Sequence, residues 1–460
     1  MTRWTAVTAA ALLVACSMVL PAPALAVTPP VIPPGLPPAG PVAPQGPTEQ
    51  KAACGVGTVL PGSRFDRALP GEIMLDYREA WPFSRGAGQK VAVIDTGVAR
   101  HPRLPALEGG GDYVSSTDGL VDCDAHGTLV AGLIAAQPSP GDTFSGVAPD
   151  AAILSIRQNS GAFAAKDSSP NPQSDPRAIS AGYGNTRTLA MAIMRAVDLG
   201  ATVINLSEAA CAPAGTDMDD AGVGQAVRYA YDHNVVVVAA AGNVDSQGIC
   251  TTQNDVRDPN LPRGDAWNSV HTVVSPAWFS DYVLTVGALT TGGQPADFSL
   301  HGPWVSVAAP GENLTSLNPN GFGLMNAWPD AQGTLQPVNG TSFAAPYVSG
   351  VVALVKSRFP QMSARDVMDR IKRTAHTPQA GPDIAVGFGV VDPVAALTAA
   401  LPTPDDVPNP QTARPVSAPP AHHAPAVDRA RLVVLIVSCT CLLCAVIAVS
   451  LSKFPPRLKK

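Results

Sequence analysis

Between residues 75 and 400 the chain alternates between two spacings of apolar positions. Short runs at 90–95, 152–156, 202–206 and 282–288 read as strands. The run 235–240 (Val-Val-Val-Val-Ala-Ala) has no polar alternation, so it is expected to be a strand buried on both faces. Between these runs the spacing becomes helical. It predicts helices over 126–136, 188–199, 220–233 and 342–358, and in the second of these Leu189, Ile193, Ala196 and Val197 form one apolar face. Ser363 opens a further helix to Thr374, with Asp366 placed as in a capping box. Strands alternating with helices predict an α/β fold of three layers: a mainly parallel central sheet with helices on both faces.

The ends depart from this pattern. Arg3 precedes an apolar run, and Ala24-Leu25-Ala26 is a small-x-small cleavage pattern, so residues 1–26 read as a secretory signal peptide. An uncleaved anchor is the other reading. Residues 27–75 begin with a Pro-rich stretch that favours extended polyproline and cannot bury a core. They read as an extension before the domain at 76–400 in which strands and helices alternate. A second Pro-rich stretch, 401–430, is a tether reaching ~30 Å if flexible and ~80 Å if fully polyproline. Residues 431–452 are apolar enough for one C-terminal transmembrane helix, against the alternative of a buried core helix. The tail 453–460 carries Lys453, Arg457, Lys459 and Lys460, which should stay cytoplasmic. The expected topology is a single pass through the cell membrane, with the domain at 76–400 on the extracytoplasmic (periplasmic) side. A net charge of −6 without a basic stripe argues against nucleic-acid binding.

Four cysteines fall in the exported part: Cys54, Cys123, Cys211 and Cys250. An oxidising compartment suggests two disulfides, with three possible pairings. Cys54–Cys123 and Cys211–Cys250 are favoured. Cys211 and Cys250 each follow a strand, and loops leaving neighbouring parallel strands lie on one edge. Metal binding by the four is disfavoured because no Cys-x-x-Cys occurs.

Three distant segments carry the chemistry: 91–97 (Val-Ala-Val-Ile-Asp-Thr-Gly), 126–132 (His-Gly-Thr-Leu-Val-Ala-Gly) and 339–346 (Asn-Gly-Thr-Ser-Phe-Ala-Ala-Pro). A serine hydroxyl is a poor nucleophile at neutral pH and needs a histidine base steadied by a carboxylate. Asp95, His126 and Ser342 supply these groups in the order Asp…His…Ser. Hydrophobic-hydrophobic-Asp-Thr-Gly is also how an aspartic protease presents a carboxylate. That chemistry needs two, and with one such motif only a homodimer could supply them. Asn243, closing 239–243 (Ala-Ala-Ala-Gly-Asn), is placed to complete an oxyanion hole with the Ser342 N–H. Read alone, Gly-Asn is a turn signal.

These motifs resemble those of subtilisin-like serine proteases, over about residues 75–400. Three departures stand out against that family: Leu129 replaces a usual His, Phe343 replaces a usual Met, and the substrate-pairing edge reads Ser207-Glu208-Ala209 in place of a Leu-Gly-Gly type segment. With Ala241 and Gly242, these three residues are the expected substrate-binding edge. The lost glycine and added carboxylate imply a selective protease. The other reading of Glu208 is a solvated edge charge. The acidic group Asp217, Asp219 and Asp220 could suggest calcium, but a helix N-terminus accounts for it better. No cofactor and no metal are expected.

The layout resembles a narrower group, the mycosins, through Ala80-Trp81, the segment 88–98, the four exported cysteines, the Pro-rich ends and the C-terminal span. That resemblance implies a serine endopeptidase with two partners: a membrane-embedded type VII secretion complex and a narrow set of proteins exported through it. The alternative is an assembly component of the complex whose proteolysis is dispensable. Residues 27–75 are too short and too Pro-rich for a folded inhibitory pro-domain. They are expected to wrap the catalytic domain, stapled by Cys54.

Overall fold

The computed structural model describes residues 27–166, 175–179, 182–245, 250–254, 263–321, 323–330, 332–401, 437–438 and 440–445. The chain divides into a unit ending at Ala400 and a second starting at Leu401.

The strands used below are β1 (Thr48–Gln50), β2 (Lys90–Asp95), β3 (Leu107–Asp112), β4 (Ala152–Arg157), β5 (Phe163–Ala165), β6 (Val203–Leu206), β7 (Ala210–Pro213), β8 (Val236–Ala240), β9 (Thr272–Ser275), β10 (Val283–Leu289) and β11 (Val305–Pro310). The helices are α1 (Pro70–Leu75), α2 (His126–Ala135), α3 (Thr186–Asp198), α4 (Ala221–Asp232), α5 (Thr341–Arg358), α6 (Ala364–Thr374) and α7 (Pro393–Thr398). Seven strands form one sheet in the order β11-β10-β8-β6-β2-β4-β3. Every neighbouring pair in it is parallel.

The period of two along each strand separates two cores. Val91 and Val93 of β2 pack with Leu129 and Leu133 of α2 and Val351 of α5. Ala92 and Ile94 of the same strand pack with Ile193 of α3 and Val227 of α4. Continuous apolar strands are therefore buried on both faces, as the sequence of β8 requires. Ser363 caps α6 by accepting from the Asp366 N–H at 3.2 Å. Two sheet edges escape the apolar pattern. β3 reads Leu-Glu-Gly-Gly-Gly-Asp, with a register irregularity between Gly109 and Gly111, and β11 mixes small residues with its valines.

From β2 the chain runs to β3 and β4 on one side of the sheet. From β6 it runs to β8, β10 and β11 on the other. The carboxyl ends of β2 and β6 thus flank a topological switch point, where α/β sheets open a crevice.

Both favoured disulfides are the ones formed, Cys54–Cys123 and Cys211–Cys250. The extension lies against the catalytic unit along much of its length. Gln225 Nε2 donates to Pro33 O, Thr48 Oγ1 donates to Val114 O at 2.6 Å, β1 pairs antiparallel with β5, and Leu60 N donates to Asn326 Oδ1 at 2.8 Å. Between β4 and α3, Phe163–Ala165 thereby form a strand, β5. Among the described residues no helix is long and apolar enough to cross a membrane. The expected signal peptide at 1–26, nearly all of the expected tether at 401–430, most of the expected span at 431–452 and the tail at 453–460 lie outside the described residues.

Candidate active site

Asp95 closes β2 and is fully buried. Its Oδ1 accepts from Thr96 N at 2.7 Å and lies 2.7 Å from His126 Nδ1. A proton on Nδ1 is thus held toward the carboxylate, which leaves Nε2 as the basic nitrogen. His126 begins α2, and the chain enters that helix through Ala125 in a left-handed conformation, φ 65°, a strained choice for a residue with a Cβ. Gly127 must be glycine: a Cβ there would stand 2.1 Å from Gly97 O and 3.1 Å from Asp95 Oδ1.

A cradle that sequence reading missed fixes this junction. Asp122 accepts from Thr128 N and Oγ1 (2.8 and 2.6 Å) and from Thr96 Oγ1 (2.8 Å), and Gly127 N donates to Thr96 Oγ1 at 3.0 Å. Thr96 and Thr128 flank the motif residues in the sequence, but their joint partner Asp122 carries no motif of its own.

Ser342 lies in the first turn of α5 and is largely buried. Gly340 precedes it at φ 153°, and a Cβ there would meet Ser342 Oγ at 2.8 Å and Asn243 Nδ2 at 3.5 Å. The nucleophile and the amide nitrogen therefore border one small space. Asn243 Oδ1 accepts from Thr341 N and Oγ1 (2.9 and 3.0 Å), so Nδ2 is turned toward that space. Among the described residues Ser342 Oγ forms no hydrogen bond with the His126 ring. Such catalytic contacts are often long before substrate binds.

The predicted edge residues divide. Ala241 and Gly242 are buried at the end of β8 beside Asn243. Ser207, Glu208 and Ala209 lie outside the paired strands, between β6 and β7. Ser207 has a task the sequence did not suggest. Pro346 lies inside α5 and has no N–H to donate to the Ser342 carbonyl. Ser207 Oγ donates there instead, at 2.6 Å, while accepting from Asn205 Nδ2 at 2.8 Å. Ser349 Oγ, from α5, donates to Asn205 Oδ1 at 2.7 Å. Glu208 is no solvated charge, with its side chain only 19% exposed and Oε1 3.5 Å from His126 Nδ1. Phe343 packs on the His126 ring, centroids 4.9 Å apart, so this replacement supports the imidazole. Leu129 is wholly buried in the core.

Burial pushes His126 down, but Asp95 and Glu208 more than reverse this and hold it at about 10. Burial pushes Glu208 up to about 7 against the opposing pull of His126. Donor atoms of Asp95, His126 and Glu208 lie within 4.8 Å of one another. The Asp95–His126 hydrogen bond accounts for that proximity, and nothing further marks the three as ligands. Asp217, Asp219 and Asp220 do lie at a helix N-terminus, with Asp220 the residue before α4, although the Asp220 carboxylate makes no cap bond and accepts instead from Trp278 Nε1 at 2.8 Å.

Residues 86–389 match the subtilase family, Peptidase S8. Mycosin-4 of Mycobacterium tuberculosis is 49% identical over 385 residues, covering 83% of this chain and 80% of that protein. The chain belongs to the subtilases, in the mycosin group. It is a serine endopeptidase by family. This mycosin also superposes on the MycP3 protease of the type VII (ESX-3) secretion system, with TM-score 0.76 and 46% identity, over 81% of this chain and all of that one. A chain within an intact ESX-5 inner membrane complex matches with TM-score 0.77 and 43% identity, over 93% of this chain and all of that one.

Proposed function

We propose that Ser342 attacks the scissile carbonyl of an exported protein while His126 takes its proton and Asp95 steadies the imidazolium. The observation that carries this is the buried Asp95–His126 pair at 2.7 Å facing the start of α5, where Ser342 sits. Asn243 Nδ2 and the Ser342 N–H donate to the developing oxyanion. The helix N-terminus adds favourable potential, and the hydrogen bonds to Thr341 keep the amide from turning its oxygen inward. His126 then protonates the leaving amine, and water repeats the sequence on the acyl-enzyme. Ala241, Gly242 and the segment 207–209 border the substrate, whose non-prime side lies along the unpaired segment after β6.

The enzyme works with a type VII secretion complex, on its extracytoplasmic side, held by one C-terminal span at 431–452. Support comes from the matched chains in the ESX-5 inner membrane complex and its periplasmic assembly, and from the apolar run ahead of a basic tail. The extension at 27–75 stays attached, stapled by Cys54–Cys123.

The test is Ser342→Ala in a strain lacking the natural protein. A fluorophosphonate probe should label the natural enzyme and not the variant. Lost secretion in the variant supports obligatory proteolysis. Normal secretion of uncleaved substrate supports the second reading, an assembly component, which the high coverage of a chain inside a complex favours. Membrane fractionation with and without residues 431–460 tests the anchor, and N-terminal sequencing beginning near residue 76 would overturn the retained extension.

A further inference from the structure

We propose that Glu208 is a positioning residue acting on the general base: its carboxylate beside Nδ1 holds the His126 imidazole in its charged form in the free enzyme, and a substrate strand laid along residues 207–209 displaces it and frees the base. The inference rests on the triad roles proposed above.

An orienting carboxylate is ordinary in a serine protease. A second one at the same nitrogen is not needed for orientation, because Asp95 already takes the Nδ1 proton at 2.7 Å. Glu208 Oε1, at 3.5 Å, therefore adds charge without adding a second good hydrogen bond. The surroundings offer no relief. Asp95 faces the imidazole from the end of β2, Glu208 from the segment after β6, and Asp122 from the loop before α2, while α5 contributes the uncharged Phe343 ring. Around Glu208 itself stand His126, Asp95 and Asp124, with the Asn159 side chain hydrogen-bonded to it. No lysine or arginine is among these groups, so among these described residues the imidazole is the one group that can carry positive charge.

A general base must be neutral to take the serine proton. The two carboxylates push His126 toward its charged form, and burial alone would have done the opposite. Glu208 is itself lifted toward neutrality, so the arrangement responds to pH near 7. Its position makes it displaceable. It belongs to a short segment outside the paired strands, its side chain is partly exposed, and its carboxylate lies 3.5 Å from His126 Nδ1. In the proposed complex a peptide paired with 207–209 lies against this side chain. The resting enzyme is then poor in free base, and a bound substrate restores it.

The test uses the full-length enzyme and the pH dependence of two parameters. For the natural enzyme, the acid limb of kcat/KM, which reports the free enzyme, should lie at higher pH than the acid limb of kcat, which reports the complex. Glu208→Gln should lower the kcat/KM limb by a unit or more, raise fluorophosphonate labelling at pH 7 about tenfold, and bring the two limbs together. Nitrogen-15 spectra of His126 give a readout without turnover: imidazolium at pH 7–8 in the natural protein, neutral ring in Glu208→Gln. An unmoved limb and unmoved ring signals in a folded Glu208→Gln would overturn the proposal. So would a raised KM with an unshifted limb, which makes Glu208 a substrate contact alone. Coincident limbs in the natural enzyme would overturn the displacement step. Labelling that persists in Ser342→Ala would instead remove the triad reading, and this proposal with it.

Discussion

Ser207→Ala tests the most specific contact beneath the nucleophile. The substitution leaves two buried groups unpaired: the Ser342 carbonyl, which Pro346 cannot serve, and Asn205 Nδ2. A typical net hydrogen bond contributes about 1 kcal/mol, and a buried group left without a partner costs about 1–3 kcal/mol. The expected loss is therefore about 2–4 kcal/mol, large for the removal of one oxygen atom. The cause can be isolated by a second substitution. Pro346→Ala restores an N–H that can reach the Ser342 carbonyl in the ordinary helical pattern. In that background Ser207→Ala should cost less by about 1 kcal/mol or more, a positive coupling between residues far apart in sequence. Denaturant midpoints and slopes of the four proteins give the cycle. Turnover should fall with stability in the single variant, because the first turn of α5 carries both Ser342 and its oxyanion N–H. A loss under about 0.5 kcal/mol, or an equal loss in both backgrounds, would refute the reasoning.

Asn243→Asp keeps an oxygen for Thr341 but removes the Nδ2 donor. Turnover should fall about 10²- to 10³-fold with KM little changed, and a loss mainly in KM would contradict an oxyanion role. Replacing Cys211 and Cys250 together by serine reopens a 39-residue loop, and the chain-entropy estimate is about 4 kcal/mol of lost stability in denaturant titrations. Asp122 is pushed up to about 6 by burial, against the hydrogen bonds from Thr128 and Thr96. A carboxyl whose folded value lies above its ordinary one binds more protons folded than unfolded. Its contribution is thus greatest below pH 4 and is lost as the pH rises to about 6. Asp122→Asn should flatten that part of the stability–pH curve, and an unchanged slope would count against the assignment.

What could be read from the sequence follows from the range over which each feature is determined. Strand β8 announces itself because burial on both faces demands a continuous apolar run, whereas β3 is held at the edge by its ladder to β4 and needs no apolar residues at Gly109–Gly111. Asp95, His126 and Ser342 are legible because each sits in a short motif whose small neighbours are required on the spot, as Gly127 is by the carbonyl of Gly97. The cradle around Asp122, the ring of Phe343 on His126 and the service of Ser207 to Ser342 join segments as far apart as residues 126 and 343, and no local pattern encodes them.

The segment after β6 shows why one altered dipeptide bears on the whole site. Side chains along extended backbone point alternately to opposite sides. Ser207 is directed beneath α5, to the carbonyl of the nucleophile's own residue, and its successor Glu208 is directed to the base. A glycine-rich edge in this place would offer substrate its backbone alone. Here the same segment also holds the first turn of α5 and, on the proposed reading, sets the charge on His126. On the proposed reading, a substrate strand pairing with 207–209 acts on the base by displacing Glu208, and selectivity comes from how well a strand does so while Ser207 keeps its bond to the Ser342 carbonyl.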